Sequence, residues 1–125
     1  MGSWYKVIDK SDKIIKNVKI DTNQKNIYKN MIYRNLFCHS SIMFKKSLLN
    51  KIGHYPENLI YAQDYAFILK SMKLQIPRVI PMYLTLSRRW NNSMTYNPYY
   101  QKDIVLDKIK IMIFSIKNFS YPLIP

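Results

Sequence analysis

The chain is short of glycine, cysteine and acids, and each shortage closes off a class of function. Gly2 and Gly53 are the only glycines, so neither a G-x-G-x-x-G turn nor a P-loop can be built, since both need several positions where backbone approaches phosphate closely. A single cysteine, Cys38, excludes an internal disulfide and a multi-thiolate zinc site and fits a reducing compartment such as the cytoplasm. No uninterrupted apolar run approaches the roughly 18 residues that suggest a membrane span. Nothing resembles a signal peptide. Seven Asp and Glu stand against 20 Lys and Arg, a formal charge of +13, which is the balance of proteins that meet phosphate or anionic surfaces. Only 4 of the basic residues are Arg, and Ile, Lys and Asn make up 45 of the 125 residues, the bias that AT-rich coding sequence imposes on any protein. The charge alone is therefore weak evidence for nucleic acid.

What is present is a chain of one-domain length, with 48% hydrophobic and 14% aromatic residues to bury. Tyr5–Asp9 and Ile14–Ile20 flank the polar turn Lys10–Lys13 and predict a β-hairpin. Asp21-Thr22-Asn23 offers N-cap chemistry ahead of Ile27, Met31 and Ile32, predicting a helix over 23–34. Leu36–Phe44 alternates like a strand. A short helix over 46–52 should stop at Gly53 through a left-handed terminal residue. A second helix starts near Gln63 or Asp64 and shows Phe67, Ile68, Leu69 and Met72. Pro77 and Pro81 bracket a short extended piece, Arg78–Ile80, and Tyr83–Ser87 is a further strand. Asn97-Pro98 opens a last helix with Ile104, Val105, Ile109, Met112, Ile113 and Ile116 among Lys102, Lys108, Lys110 and Lys117. The order predicts a mixed α/β fold with a sheet too thin to be covered on both faces.

Few titratable side chains are available for chemistry. His39, His54, Glu57, Asp64, Asp103 and Asp107 are the main ones. A metal site from His39, His54 and Cys38 matches no usual ligand spacing, and a nucleophile at Ser40 or Ser41 has no identifiable orienting partner. Asp64 stands as a lone acid at the start of an apolar helix, where it either caps that helix or projects into a cleft. The aromatic residues do not form the paired strand motifs that stack single-stranded bases, so nucleic acid is the least favoured partner.

Three segments taken together narrow the choice. Asn35-Leu36-Phe37-Cys38-His39-Ser40-Ser41-Ile42-Met43-Phe44-Lys45, then Leu49-Asn50-Lys51-Ile52-Gly53-His54-Tyr55, then Tyr61-Ala62-Gln63-Asp64-Tyr65-Ala66-Phe67 resemble, in order and spacing, the second half of a family 2 glycosyltransferase domain of the GT-A fold. There an H-S-S-v-M-F-R strand is followed by l-x-x-i-G-G-Y and then E-D-Y-D-L. Ile80-Pro81-Met82-Tyr83-Leu84 and Ser87-Arg88-Arg89-Trp90-Asn91-Asn92-Ser93 are similar to that family's P-x-x-L…Y-R-x-H-x-n-s tail. The resemblance runs from residue 2 to about 97, leaving 98–125 as a basic amphipathic helix and tail.

The resemblance implies a partial GT-A domain that transfers a sugar from a nucleotide-sugar to a hydroxyl of a glycan or lipid-linked acceptor, as in polysaccharide or lipopolysaccharide biosynthesis. Asp64 matches the acid that takes the acceptor's proton. Gln63 replaces the first acid of the pair and keeps only hydrogen bonding. His39, Arg88 and Trp90 fall at substrate-binding positions, Arg88 facing diphosphate charge and Trp90 replacing a histidine. His54 stands where a second Gly is usual, and Ala66 where a second Asp is. No D-x-D occurs: Asp9 and Asp12 are spaced D-x-x-D in a turn and are expected to be solvated. No cofactor is expected within this chain, and Mg²⁺ or Mn²⁺ belongs to a complete enzyme, whose nucleotide half lies outside these residues. Alone, the chain is expected to be inactive. The competing expectation is a non-catalytic basic module whose last helix lies on an anionic membrane surface, peripherally on its inner face, against the simpler outcome that this helix only packs on the domain.

Overall fold

A computed structural model describes residues 1–91, 93 and 97–118. The chain begins with β1 (Gly2–Ile8) and β2 (Ile14–Val18), paired antiparallel as the hairpin pattern predicts. The turn between them is locked by a carboxylate. Asp9 Oδ1 accepts from the backbone N–H of Ser11 at 2.8 Å and of Lys13 at 3.0 Å, and Asp12 takes φ 65°, a region Asp enters more readily than most residues. Arg88 then closes the tip, donating to the Asp9 carbonyl at 2.8 Å and to Asp12 Oδ1 at 2.5 Å. Asp9 and Asp12 are thus hydrogen-bonded parts of the expected turn, and the Asp12 side chain is 76% exposed, as the solvated reading requires.

Helix α1 (Gln24–Met31) is capped as expected by Asn23, whose side chain accepts from Lys25 and Asn26 N–H. It ends earlier than residue 34, where the Tyr33 N–H tightens to an i→i−3 bond with the Asn30 carbonyl. Ile27 and Met31, one turn apart, are fully buried. The segment 36–44 is not a strand. It is extended chain broken by a single 3-10 turn at His39–Ser41, in which both the backbone N–H and the hydroxyl of Ser41 bond to the Cys38 carbonyl. A serine that satisfies the backbone locally competes with ladder pairing. The expected face of His39, Ser41 and Met43 does not exist.

Helix α2 (Ser47–Ile52) stops at Gly53. The glycine has φ 79° with ψ −177°, a positive-φ extended conformation in place of the left-handed helical one, and equally reserved for glycine. Helix α3 (Gln63–Met72) follows and buries Tyr65, Ala66, Phe67, Ile68, Leu69 and Met72. Its Tyr65 hydroxyl donates to the carbonyls of Met31 and Ile32, which are end-of-helix acceptors left open by α1.

The two extended pieces expected around Pro81 are one strand, β3 (Val79–Arg88), lying parallel to β1 in the order β2-β1-β3. Proline fits because β3 is an edge. The register jumps from Ser3↔Ile80 to Trp4↔Tyr83, placing Pro81 in an irregularity where no ladder donor is needed. Helix α4 (Gln101–Asn118) is entered through a 3-10 turn at Pro98–Tyr100 capped by Asn97. The molecule is therefore a small mixed α/β protein with a three-stranded sheet.

The core joins Ile20, Ile27, Met31, Phe37, Leu59, Tyr65, Leu69, Met72 and Ile111, with Trp4, Tyr5 and Val79 of the sheet packed on its border. The outer part of the sheet carries no such cover: Ile14, Ile15, Met82, Leu84 and Leu86 are exposed, as the thin-sheet expectation requires. Gly2 sits where β1 enters the core. A Cβ there would lie 2.5 Å from the Phe37 ring, so Gly2→Val is expected to destabilise by about 1–3 kcal/mol through overpacking, measured as a lower urea midpoint at unchanged slope.

Candidate functional site

Asp64 lies in the first turn of α3 but does not cap it. The cap position is Ala62 and makes no side-chain bond. Instead the half-buried Asp64 carboxylate is fixed from outside the helix: Asn35 Nδ2 donates to Asp64 Oδ2 at 3.0 Å. Asn35 is itself oriented, because its Oδ1 accepts from Phe37 N–H at 3.1 Å. Both ends of one amide are used, which sets where the acid points. Of the two readings open for a lone acid here, the cap is not what the structure shows, and Asp64 lines neither cavity of the described residues. A negative charge in the first turn is also favoured by the helix dipole.

Tyr55 is the next member. Its hydroxyl lies 3.0 Å from His39 Nε2, the two rings meeting edge to face at 5.6 Å. Burial first, and then the nearby Asp64 charge, push the Tyr55 phenol above its ordinary range. Its ring stacks on Phe67 of α3 at 4.5 Å. Asn35 with Asp64 and His39 with Tyr55 thus form two hydrogen-bonded pairs, which the Asp64 charge acting on the Tyr55 phenol links. Asn35 and Tyr55 lie within the motifs, which assign them no role; the only local signal for Asn35 is an amide that can accept from the N–H two residues on.

The remaining expected residues sit elsewhere. Gln63 donates from Nε2 to the Leu59 carbonyl at 2.7 Å and so folds back on the loop before α3. Arg88 is engaged at the hairpin tip, and Trp90, just beyond β3, is 51% exposed. No hydrogen bond among the described residues joins either to Asp64.

Asp107 of α4 is buried at 3% exposure and was named only as a titratable residue. Its Oδ2 accepts from the backbone N–H of Ile60 at 2.8 Å and of Tyr61 at 2.9 Å, and Oδ1 faces Lys110 at 3.4 Å. Burial alone would raise its pKa, but the two N–H bonds and Lys110 outweigh it and hold the carboxyl below the usual range. This one side chain anchors the loop that leads into α3 and to Asp64. Four residues from Ile111, Ser115 is fully buried and its hydroxyl finds no partner among the described residues. Ser115→Ala is expected to raise stability by about 1 kcal/mol, since an unpaired buried hydroxyl is removed and a better helix former installed; thermal unfolding reads this directly.

A cavity of about 440 Å³ opens on the other side of Phe67, lined by Phe37, Phe44, Leu48, Ile68 and Leu74 with Lys45, Lys51 and Arg78. It includes none of the expected site residues. No group of three or more His, Cys, Asp or Glu side chains among the described residues is arranged to hold a metal. Comparison of the chain with protein-family models, curated proteins and solved structures finds no match.

Proposed function

We propose that the chain is the acceptor-side part of a family 2 glycosyltransferase domain of the GT-A fold, acting on a nucleotide-sugar and a glycan or lipid-linked hydroxyl. The observation that carries this reading is the Asp64 carboxylate held by Asn35. A sugar hydroxyl attacks an anomeric carbon only when its proton has somewhere to go, and a positioned carboxylate supplies that. Asp64 Oδ2 is engaged by Asn35, and Oδ1 accepts no hydrogen bond among the described residues, leaving a lone pair for an incoming hydroxyl. The Tyr55–His39 pair, whose phenol feels the Asp64 charge, is assigned to orienting the acceptor. Two nearby features fit the same reading: the motif order of the sequence, and a sheet with bare strands that further elements would cover.

The nucleotide and the Mg²⁺ or Mn²⁺ of such an enzyme need carboxylates this chain does not present as D-x-D, so the reading assigns them to a separate nucleotide-binding half. The test is steady-state transfer with that half supplied. His39→Ala is expected to raise the acceptor KM about tenfold through loss of one oriented hydrogen bond, with the donor KM unchanged. A change confined to the donor KM would overturn the acceptor-side assignment.

A further inference from the structure

Helix α4 buries a mixed inward stripe in the fold and leaves a second, apolar stripe outside it. Ile104, Asp107, Ile111 and Ser115 face inward and are buried. At 3.6 residues per turn the opposite side gathers Val105, Leu106, Ile109, Met112, Ile113 and Ile116 into an arc of about 120°. All six are exposed, from 38% at Met112 to 67% at Ile116. Lys108 borders this arc on one side and Lys117 on the other, with Lys102 at its first turn; all three are exposed, while the neighbouring Lys110 is paired with Asp107. The inward stripe fixes the rotation of the helix. Lys73, which caps the end of α3, reinforces it at the far end, bonding Asn118 Oδ1 at 2.8 Å and lying over the Phe114 ring.

We infer that α4 is an in-plane membrane helix that docks the protein on an anionic bilayer, its outer stripe entering the headgroup boundary while the flanking lysines meet lipid phosphates. Charge decides between occupants. The chain carries +13, so a second copy laid on the same face would bring lysines against lysines, whereas an anionic surface is attracted by each of them. No described helix is long and apolar enough to cross a membrane, and an apolar arc rimmed by lysines is the arrangement that lies in the interface. This inference is independent of the proposed transfer reaction and stands or falls without it.

The experiment is flotation of the purified chain with vesicles of phosphatidylcholine alone or with about one third phosphatidylglycerol, at low and high salt. Binding to the anionic vesicles only, weakened by salt, is expected. Ile109→Ser with Ile113→Ser should lower the apparent affinity about tenfold or more by removing inserted apolar surface. Lys108→Gln should lower it about fivefold. Both variants alter exposed side chains, and circular dichroism checks that they fold. Equal binding to neutral vesicles, no binding to either, or sedimentation as a dimer that the Ile109→Ser change dissociates would each overturn the inference. If the double variant fails to fold, Lys108→Gln alone tests the helix, and unchanged affinity there would overturn the inference.

Discussion

If the proposed reading holds, Asp64→Asn is expected to lower the rate of sugar transfer by the reassembled enzyme about 10²- to 10⁴-fold, the range over which a positioned general base acts. The substitution keeps size and shape, and the new amide oxygen can still accept from Asn35 Nδ2 at the place the carboxylate now occupies. What it loses is the ability to take a proton. Affinity for the donor should be unchanged, so the loss falls on kcat and on kcat/KM alike. A variant that transfers as fast as the unaltered protein would remove Asp64 from the chemistry. Asn35→Ala separates holding from reacting: it leaves the carboxylate in place but unanchored, and should cost roughly tenfold, consistent with the loss of one orienting hydrogen bond to a charged group.

Asp107→Ala should destabilise the fold by about 3 kcal/mol, as two part-buried N–H donors on Ile60 and Tyr61 lose a charged acceptor together. The pH dependence follows from the lowered pKa of this carboxyl. Its contribution is complete above the ordinary carboxylate range near 4 and is lost as pH falls through the lower folded value. Urea unfolding should therefore show a large gap between the two proteins at neutral pH that closes in acid. A constant gap at every pH would mean that the ionised form of Asp107 is not what the loop requires. Because that loop leads into α3, partial loss of transfer should accompany the change even where the protein remains folded.

Local rules were enough where the deciding contacts are local. The hairpin, the Asn23 cap, the stop at Gly53 and the apolar run of α3 each depend on neighbours in sequence, and each lies where the pattern places it. Leu36–Phe44 misled because alternation was counted through His39-Ser40-Ser41, where the Ser41 bonds to Cys38 close a turn before any strand can pair. Pro81 misled in the opposite direction. Its effect on a ladder depends on whether the strand is an edge, and the register skip beside Trp4 is set by strand order. Asp107 shows the same limit: an acid among Ile104, Leu106 and Ile111 signals a special environment, yet its partners lie 46 and 47 residues away. For the site, motif spacing singled out Asp64 and His39, but the Asn35 anchor and the Tyr55 link arise only once three loops meet. Arg88 was expected near diphosphate, and the fold engages it with the Asp9–Asp12 turn.

The most direct measurement is the movement of a radiolabelled sugar from a nucleotide-sugar to a glycan acceptor by a D-x-D-bearing nucleotide half, with and without this chain present. The account predicts labelled acceptor only when both parts and Mg²⁺ or Mn²⁺ are present, and almost none when the chain carries Asp64→Asn. Transfer at the same rate without the chain, or no transfer in any combination, would contradict it.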